Sequence, residues 1–150
     1  MRRIDRIIIH RLDLSETPYH NTLEGAKSFF RSENWTAPAY HLLIQPDGSW
    51  QQWAQLDQVA HHTRGHNRSS VGVALWGRYH EQAAPHEHLV HATYLVRMLM
   101  QRLDLTRVYG HGELQIGKNC PGFSMDEFRA LLNKLKMPPK PPEQLLSIFK

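Results

Sequence analysis

A single cysteine, Cys120, stands in the 150 residues, so no intrachain disulfide can form. The thiol is left as core filler, nucleophile or metal ligand. Long apolar stretches are missing as well. Near the N-terminus only Ile7-Ile8-Ile9 is continuous, behind Asp5 and Arg6, and that run is too short for the apolar region of a secretory signal. No later segment approaches membrane-spanning length, so the expectation is a chain without membrane insertion, cytoplasmic as synthesised. Charge is not in excess either. With 21% charged and 41% hydrophobic residues the composition excludes a disordered polyelectrolyte. The net charge of +4 admits nucleic acid, anionic lipid or anionic cell wall equally. No recognition helix or aromatic-basic repeat accompanies it, so nucleic acid is not expected. Internal repeats are absent, and 150 residues suffice for one domain with its own core.

What is present reads as alternating strands and helices. Arg6-Ile7-Ile8-Ile9-His10 is β-branched and apolar, a buried strand that ends in a histidine. Asn21-Thr22-Leu23-Glu24 predicts a capping box, followed by a helix with Leu23, Ala26, Phe29 and Phe30 on one face. Residues 40–44 predict a second strand, which Pro46-Asp47-Gly48 turns back into Trp50-Gln51-Gln52-Trp53 as a hairpin. Residues 72–76 predict a third strand. Pro85 opens a long helix with the stripe Leu89, Ala92, Val96, Leu99, Met100, Leu103. Arg107-Val108-Tyr109 is a short strand that stops at Gly110-His111, and Ser124-Met125-Asp126-Glu127 opens a last helix with Phe128, Leu131, Leu132 and Leu135 inward. The prolines of residues 138–142 exclude helix there, which divides the chain into a folded domain, 1–136, and a proline-rich tail, 137–150. The fold class is α/β, a central mixed β-sheet flanked by helices.

Eleven histidines invite the question of which can be aimed at one point. His10 and His111 each end a strand, where α/β proteins place reactive groups, and Cys120 follows His111 closely. Two imidazoles and one thiolate leave the fourth tetrahedral position open, the arrangement of a catalytic zinc. A strand-end histidine is equally compatible with a plain hydrogen bond, and Cys120-Pro121-Gly122 with a tight turn that needs no metal. His41 alternates to the face opposite Tyr40 and reads as a structural histidine. His86, His88 and His91 read as a solvated helix start. Of Trp35, Trp50, Trp53 and Trp76, most read as core, with room for one at a rim.

Five segments in order resemble the zinc-dependent N-acetylmuramoyl-L-alanine amidases of the type 2 family, which includes the small phage lysozymes that are amidases. Peptidoglycan recognition proteins share their fold. The segments are Ile7-Ile8-Ile9-His10, Ala39-Tyr40-His41-Leu42-Leu43-Ile44-Gln45-Pro46-Asp47-Gly48, the stretch from His66-Asn67-Arg68 through Ala74-Leu75-Trp76-Gly77, Tyr109-Gly110-His111, and Lys118-Asn119-Cys120-Pro121-Gly122-Phe123. The resemblance as a whole covers about residues 6–135. Two departures stand out. The family commonly has Ser or Cys shortly after its first histidine, where this chain has Arg11 to Ser15, and many relatives carry Asp where Glu113 stands.

The resemblance implies His10, His111 and Cys120 as zinc ligands, and Tyr40 and Lys118 as catalytic residues with the acid and base roles undivided between them. It implies cleavage of the amide joining the stem peptide of peptidoglycan to N-acetylmuramic acid. The basic pI of about 9.4, with no export signal expected, favours an endolysin that reaches the wall on release, and a monomer is expected. His62, Arg64 and His66 flank the expected cleft and are candidates to grip an acidic stem peptide, against a plain basic surface loop. Two alternatives stay open: a recognition module that holds muropeptide without cutting it, and an amidase that recycles wall fragments in the cytoplasm.

Overall fold

The computed structural model describes residues 2–14, 22–80 and 82–135. The expected tail, 137–150, and Asn21 of the first cap lie outside the described residues. Five strands form one mixed sheet: β1 (Arg6–Leu12), β2 (Leu42–Ile44), β3 (Trp50–Gln52), β4 (Ser70–Trp76) and β5 (Val108–Gly110). Their order is β3-β2-β4-β1-β5, with β1 parallel to both β4 and β5, β2 parallel to β4, and β3 antiparallel to β2. Among the described residues four α-helices flank it: α1 (Leu23–Ser32), α2 (His86–Leu103), α3 (His111–Leu114) and α4 (Met125–Lys134). The architecture is the expected α/β sheet.

Parallel central strands are covered on both faces, which is why β1 and β4 carry near-continuous apolar runs. Every residue of β4 is buried. Side chains alternate, so Ile7, Ile9, Val71, Val73, Leu75, Leu42 and Ile44 face one way, into a core closed by α2 and α4. Leu12, Leu43, Ala74 and Trp76 face the other way, toward Ala26, Phe29 and Phe30 of α1. His10 alternates with Ile9 and so lies on the α1 face.

The helix ends follow from local chemistry. Thr22 Oγ1 accepts the Gly25 amide at 3.0 Å and starts α1. The reciprocal half of the expected box does not form, because the third helical position is Gly25 and Glu24 falls one place too early. Ser124 Oγ accepts the Glu127 amide at 3.2 Å and starts α4. Asp104, in the left-handed region at φ 54°, ends α2 by returning its amide to Met100. The second strand is shorter than expected, since the chain bends at Ala39 and at His41, on either side of Tyr40, before the ladder begins. His41 still donates its amide to Gly72 at 2.9 Å and accepts from Trp53 at 2.9 Å. Among the described residues no helix is long and apolar enough to cross a membrane.

Candidate metal centre

Strand pairing brings two distant histidines together. Ile9 of β1 is in register with Gly110 of β5, so the next residue on each chain, His10 and His111, meet beyond the ladder with ring centroids 4.8 Å apart. A loop then returns Cys120, where the Gly112 amide donates to the Cys120 carbonyl at 2.7 Å. Gly112 is required there, because a Cβ would collide with the Lys118 carbonyl oxygen. The Arg11 amide donates to Cys120 Sγ at 3.3 Å, which ties the sulfur to β1.

One ligand-capable atom from each of His10, His111 and Cys120 falls within 4.8 Å of the others. Sγ of Cys120 is 3.8 Å from Nδ1 of His10. A tetrahedral zinc with its usual bond lengths sets that edge at about 3.6 Å, so this pair of donors is spaced for one ion. His111 Nε2 donates to Gln115 Oε1 at 2.7 Å, which leaves Nδ1 as its free lone pair. Burial holds both histidines below the usual imidazole range, with His62 and His111 adding to the effect on His10. They are therefore neutral, as metal ligation requires. Burial also pushes the Cys120 thiol up to about 11 although the Arg11 amide opposes it. Two neutral imidazoles and a largely desolvated sulfur fit a borderline-soft divalent cation.

Tyr40 packs beside this trio, its ring 5.1 Å from that of His10 and braced by Phe30 and Trp53 at 6.1 and 6.5 Å. Burial, then the neighbouring Cys120, raises its hydroxyl well above the usual phenol range, so it holds its proton at neutral pH. Lys118 is exposed at the mouth of an adjoining cleft of about 400 Å³ that also touches Trp35, His62, Arg64, His111 and Gln115.

The three candidate binding residues part company. Arg64 is exposed on the rim of the cleft. His66 does not line it; its Nδ1 faces Arg6 Nη1 at 3.3 Å. His62 is 8% exposed and turned inward against His10, and burial first of all lowers its pKa to about 3. His41 is interior as expected: its Nδ1 accepts the Gly72 amide at 3.0 Å and its Nε2 donates to the Gln58 carbonyl at 2.8 Å. His88 departs from the expected solvated helix start. It is fully buried between the Tyr79 hydroxyl and the Ile44 carbonyl, because the opening turn of α2 packs onto the sheet. Glu113, at the position where the resemblance led to Asp, accepts the Gly110 amide at 2.8 Å and holds Arg129 through both carboxylate oxygens at 2.8 and 2.9 Å. It braces the turn that presents His111. Trp35, 41% exposed, is the tryptophan at the rim, whereas Trp76 is core. Neither its place nor the inward turn of His62 was signalled by local periodicity.

Residues 1–123 match the family described as N-acetylmuramoyl-L-alanine amidase. The chain is 26% identical over 105 residues to the endolysin of Klebsiella phage KP32, covering 66% of this chain and 68% of that protein. Among solved structures, the endolysin amidase LysCS from Clostridium intestinale superposes with a TM-score of 0.77 at 23% identity, covering 88% of this chain and 85% of the other. Bumblebee PGRP-SA superposes with a TM-score of 0.64 at 26% identity, covering 92% and 86%.

Proposed function

The chain belongs to the N-acetylmuramoyl-L-alanine amidase family, and on that premise we propose that it is an endolysin-type zinc enzyme that cleaves the amide between N-acetylmuramic acid and L-alanine in peptidoglycan. The observation that carries this reading is the convergence of His10, His111 and Cys120 within 4.8 Å. Those three residues would hold the ion. When bound, zinc supplies a water of pKa near 7 and polarises a carbonyl oxygen.

The remaining work falls to the chain itself. Net hydrolysis adds water across the C–N bond, giving a lactyl carboxylate and the free amine of the stem peptide. A proton must leave the attacking water and another must reach the departing nitrogen. Tyr40, protonated at neutral pH, donates a hydrogen bond where negative charge develops, and such a donor is worth about 3–4 kcal/mol in the barrier. Lys118 brings positive charge to the same mouth. Proton transfer to the amine is shared between these two side chains. Arg64 and the face of Trp35 offer a cation and an apolar wall for an acidic peptide stem.

A complete donor set favours cutting over mere recognition, since a module that only holds muropeptide has no use for two imidazoles and a sulfur aimed at one point. We place the catalytic unit in residues 1–136. Metal content of the purified protein, and the masses released from whole sacculi, test the reading. Stoichiometric zinc and free stem peptides with intact glycan are expected. Lysis retained in full by Cys120→Ser would overturn it.

A further inference from the structure

We propose that His62 is a positioning residue, which fixes His10 in the tautomer whose Nδ1 faces the metal, through a hydrogen-bond chain anchored on the backbone. The proposal rests on the zinc reading given above and deepens it.

His10 Nε2 lies 2.8 Å from His62 Nδ1, His62 Nε2 lies 3.1 Å from Ser70 Oγ, and Ser70 Oγ lies 2.7 Å from the His66 carbonyl oxygen. The carbonyl end sets the direction. A carbonyl can only accept, so the Ser70 hydroxyl spends its proton there and its oxygen accepts from His62 Nε2–H. His62 Nδ1 is then the bare nitrogen, and it accepts from His10 Nε2–H. His10 Nδ1 is left with a free lone pair, and that is the atom 3.8 Å from Cys120 Sγ. The Thr63 hydroxyl, 3.0 Å from His62 Nδ1, sits beside the same junction. Metal-bound histidines generally rely on such a partner for their second nitrogen, and the partner governs tautomer and ring orientation. For His111 that partner is Gln115; for His10 it is another histidine.

The surroundings hold His62 in this place from two sides. Asn67 Oδ1 accepts the amides of both His62 and Thr63, at 3.0 and 2.7 Å, which pins the turn. Gly72 lies under the imidazole: a Cβ there would come within 2.7 Å of Cγ and Cδ2 of His62. A glycine inside a buried strand usually marks a close approach, and here the approaching group is this ring. The side chain is 8% exposed, so it borders the cleft with little surface while its ring nitrogens are engaged by His10 and Ser70.

The test compares His62→Leu, which cannot accept from His10, with His62→Gln, whose side-chain oxygen can. Zinc affinity is read by competition with a chromophoric chelator, and ligand geometry by the visible absorption of the cobalt-substituted protein. His62→Leu is expected to bind zinc about 10–100-fold more weakly with an altered cobalt spectrum, and His62→Gln to stay within a few-fold of wild type. Equal weakening in both variants, or wild-type affinity and spectrum in His62→Leu, overturns the proposal. Should His62→Leu fail to fold, Ser70→Ala decides: a several-fold loss of zinc affinity supports the chain and no change overturns it. If wild-type protein takes up no zinc, the metal reading itself fails, which is a separate and visible outcome.

Discussion

Sγ of Cys120 lies 3.8 Å from Nδ1 of His10, although 110 residues separate them in the chain. Parallel pairing of β1 with β5 sets His111 beside His10, and the Gly112–Cys120 hydrogen bond folds the loop back to bring the sulfur in. Removing any member breaks a site that no local element could form alone.

Chelation should therefore unsettle the fold as well as the reaction. A ligand present at a thousand times its dissociation constant stabilises the native state by about 4 kcal/mol. Thermal melts of chelated protein are expected well below those of the zinc-loaded form, with full recovery on adding zinc. Cys120→Ser is expected to melt like the chelated protein and to show no zinc-dependent shift. Identical melts with and without chelator would remove the metal from the fold.

Tyr40→Phe removes one hydroxyl and leaves the ring against His10, Phe30 and Trp53. The turnover rate on purified wall is expected to fall roughly 100- to 1,000-fold, the usual cost of losing a donor to a developing oxyanion. Zinc content should stay at the wild-type level, which metal analysis checks. A turnover rate within two-fold of wild type would assign Tyr40 to packing alone.

Gly112→Ala tests the loop. The added methyl meets a backbone carbonyl, that of Lys118, which cannot swing aside as a flexible side chain would. A loss of about 2 kcal/mol is expected, seen as a melting temperature lowered by ~6 °C, together with weaker zinc binding because Cys120 is displaced. Substituting Gly117 makes a useful contrast. A Cβ there meets nothing within 4 Å, so any cost comes from its φ of 88° and not from collision.

Acid should weaken the protein through His41. Burial lowers its folded-state pKa to about 4, below the unfolded value near 6.5, so the unfolded chain takes up the proton first. The contribution is complete above pH 6.5, declines as pH falls toward 4, and levels off below. It amounts to roughly 3 kcal/mol across that window. Urea unfolding between pH 7.5 and 4 measures it, and a stability curve flat over that interval would contradict the burial argument. The interior histidine His88 is lowered in the same direction, chiefly by burial, and steepens the expected decline.

Much of the fold was legible because its signals are local. The β-branched run before His10, the proline at the head of α2 and the serine ahead of α4 each act over a few residues, and each element begins where expected, although β1 runs two residues past His10. The first capping box was half legible, since Thr22 caps while Gly25 offers no side chain to return the bond. The buried state of His88 was not legible. The two residues before it, His86 and Glu87, are polar and exposed, and the seating of α2 on the sheet encloses it.

The sequence by itself determined the strand and helix periods, the class of the sheet and, through its resemblance, which three side chains to suspect as donors. Tertiary structure alone decided which nitrogen of His10 and of His111 is free, that His62 packs against His10 at the cleft's inner wall, and that Trp35 is the tryptophan at the rim. The physical reason is range. Periodicity and capping act within one or two turns, whereas the aim of a ring nitrogen depends on which strands lie side by side and on hydrogen-bond partners dozens of residues away.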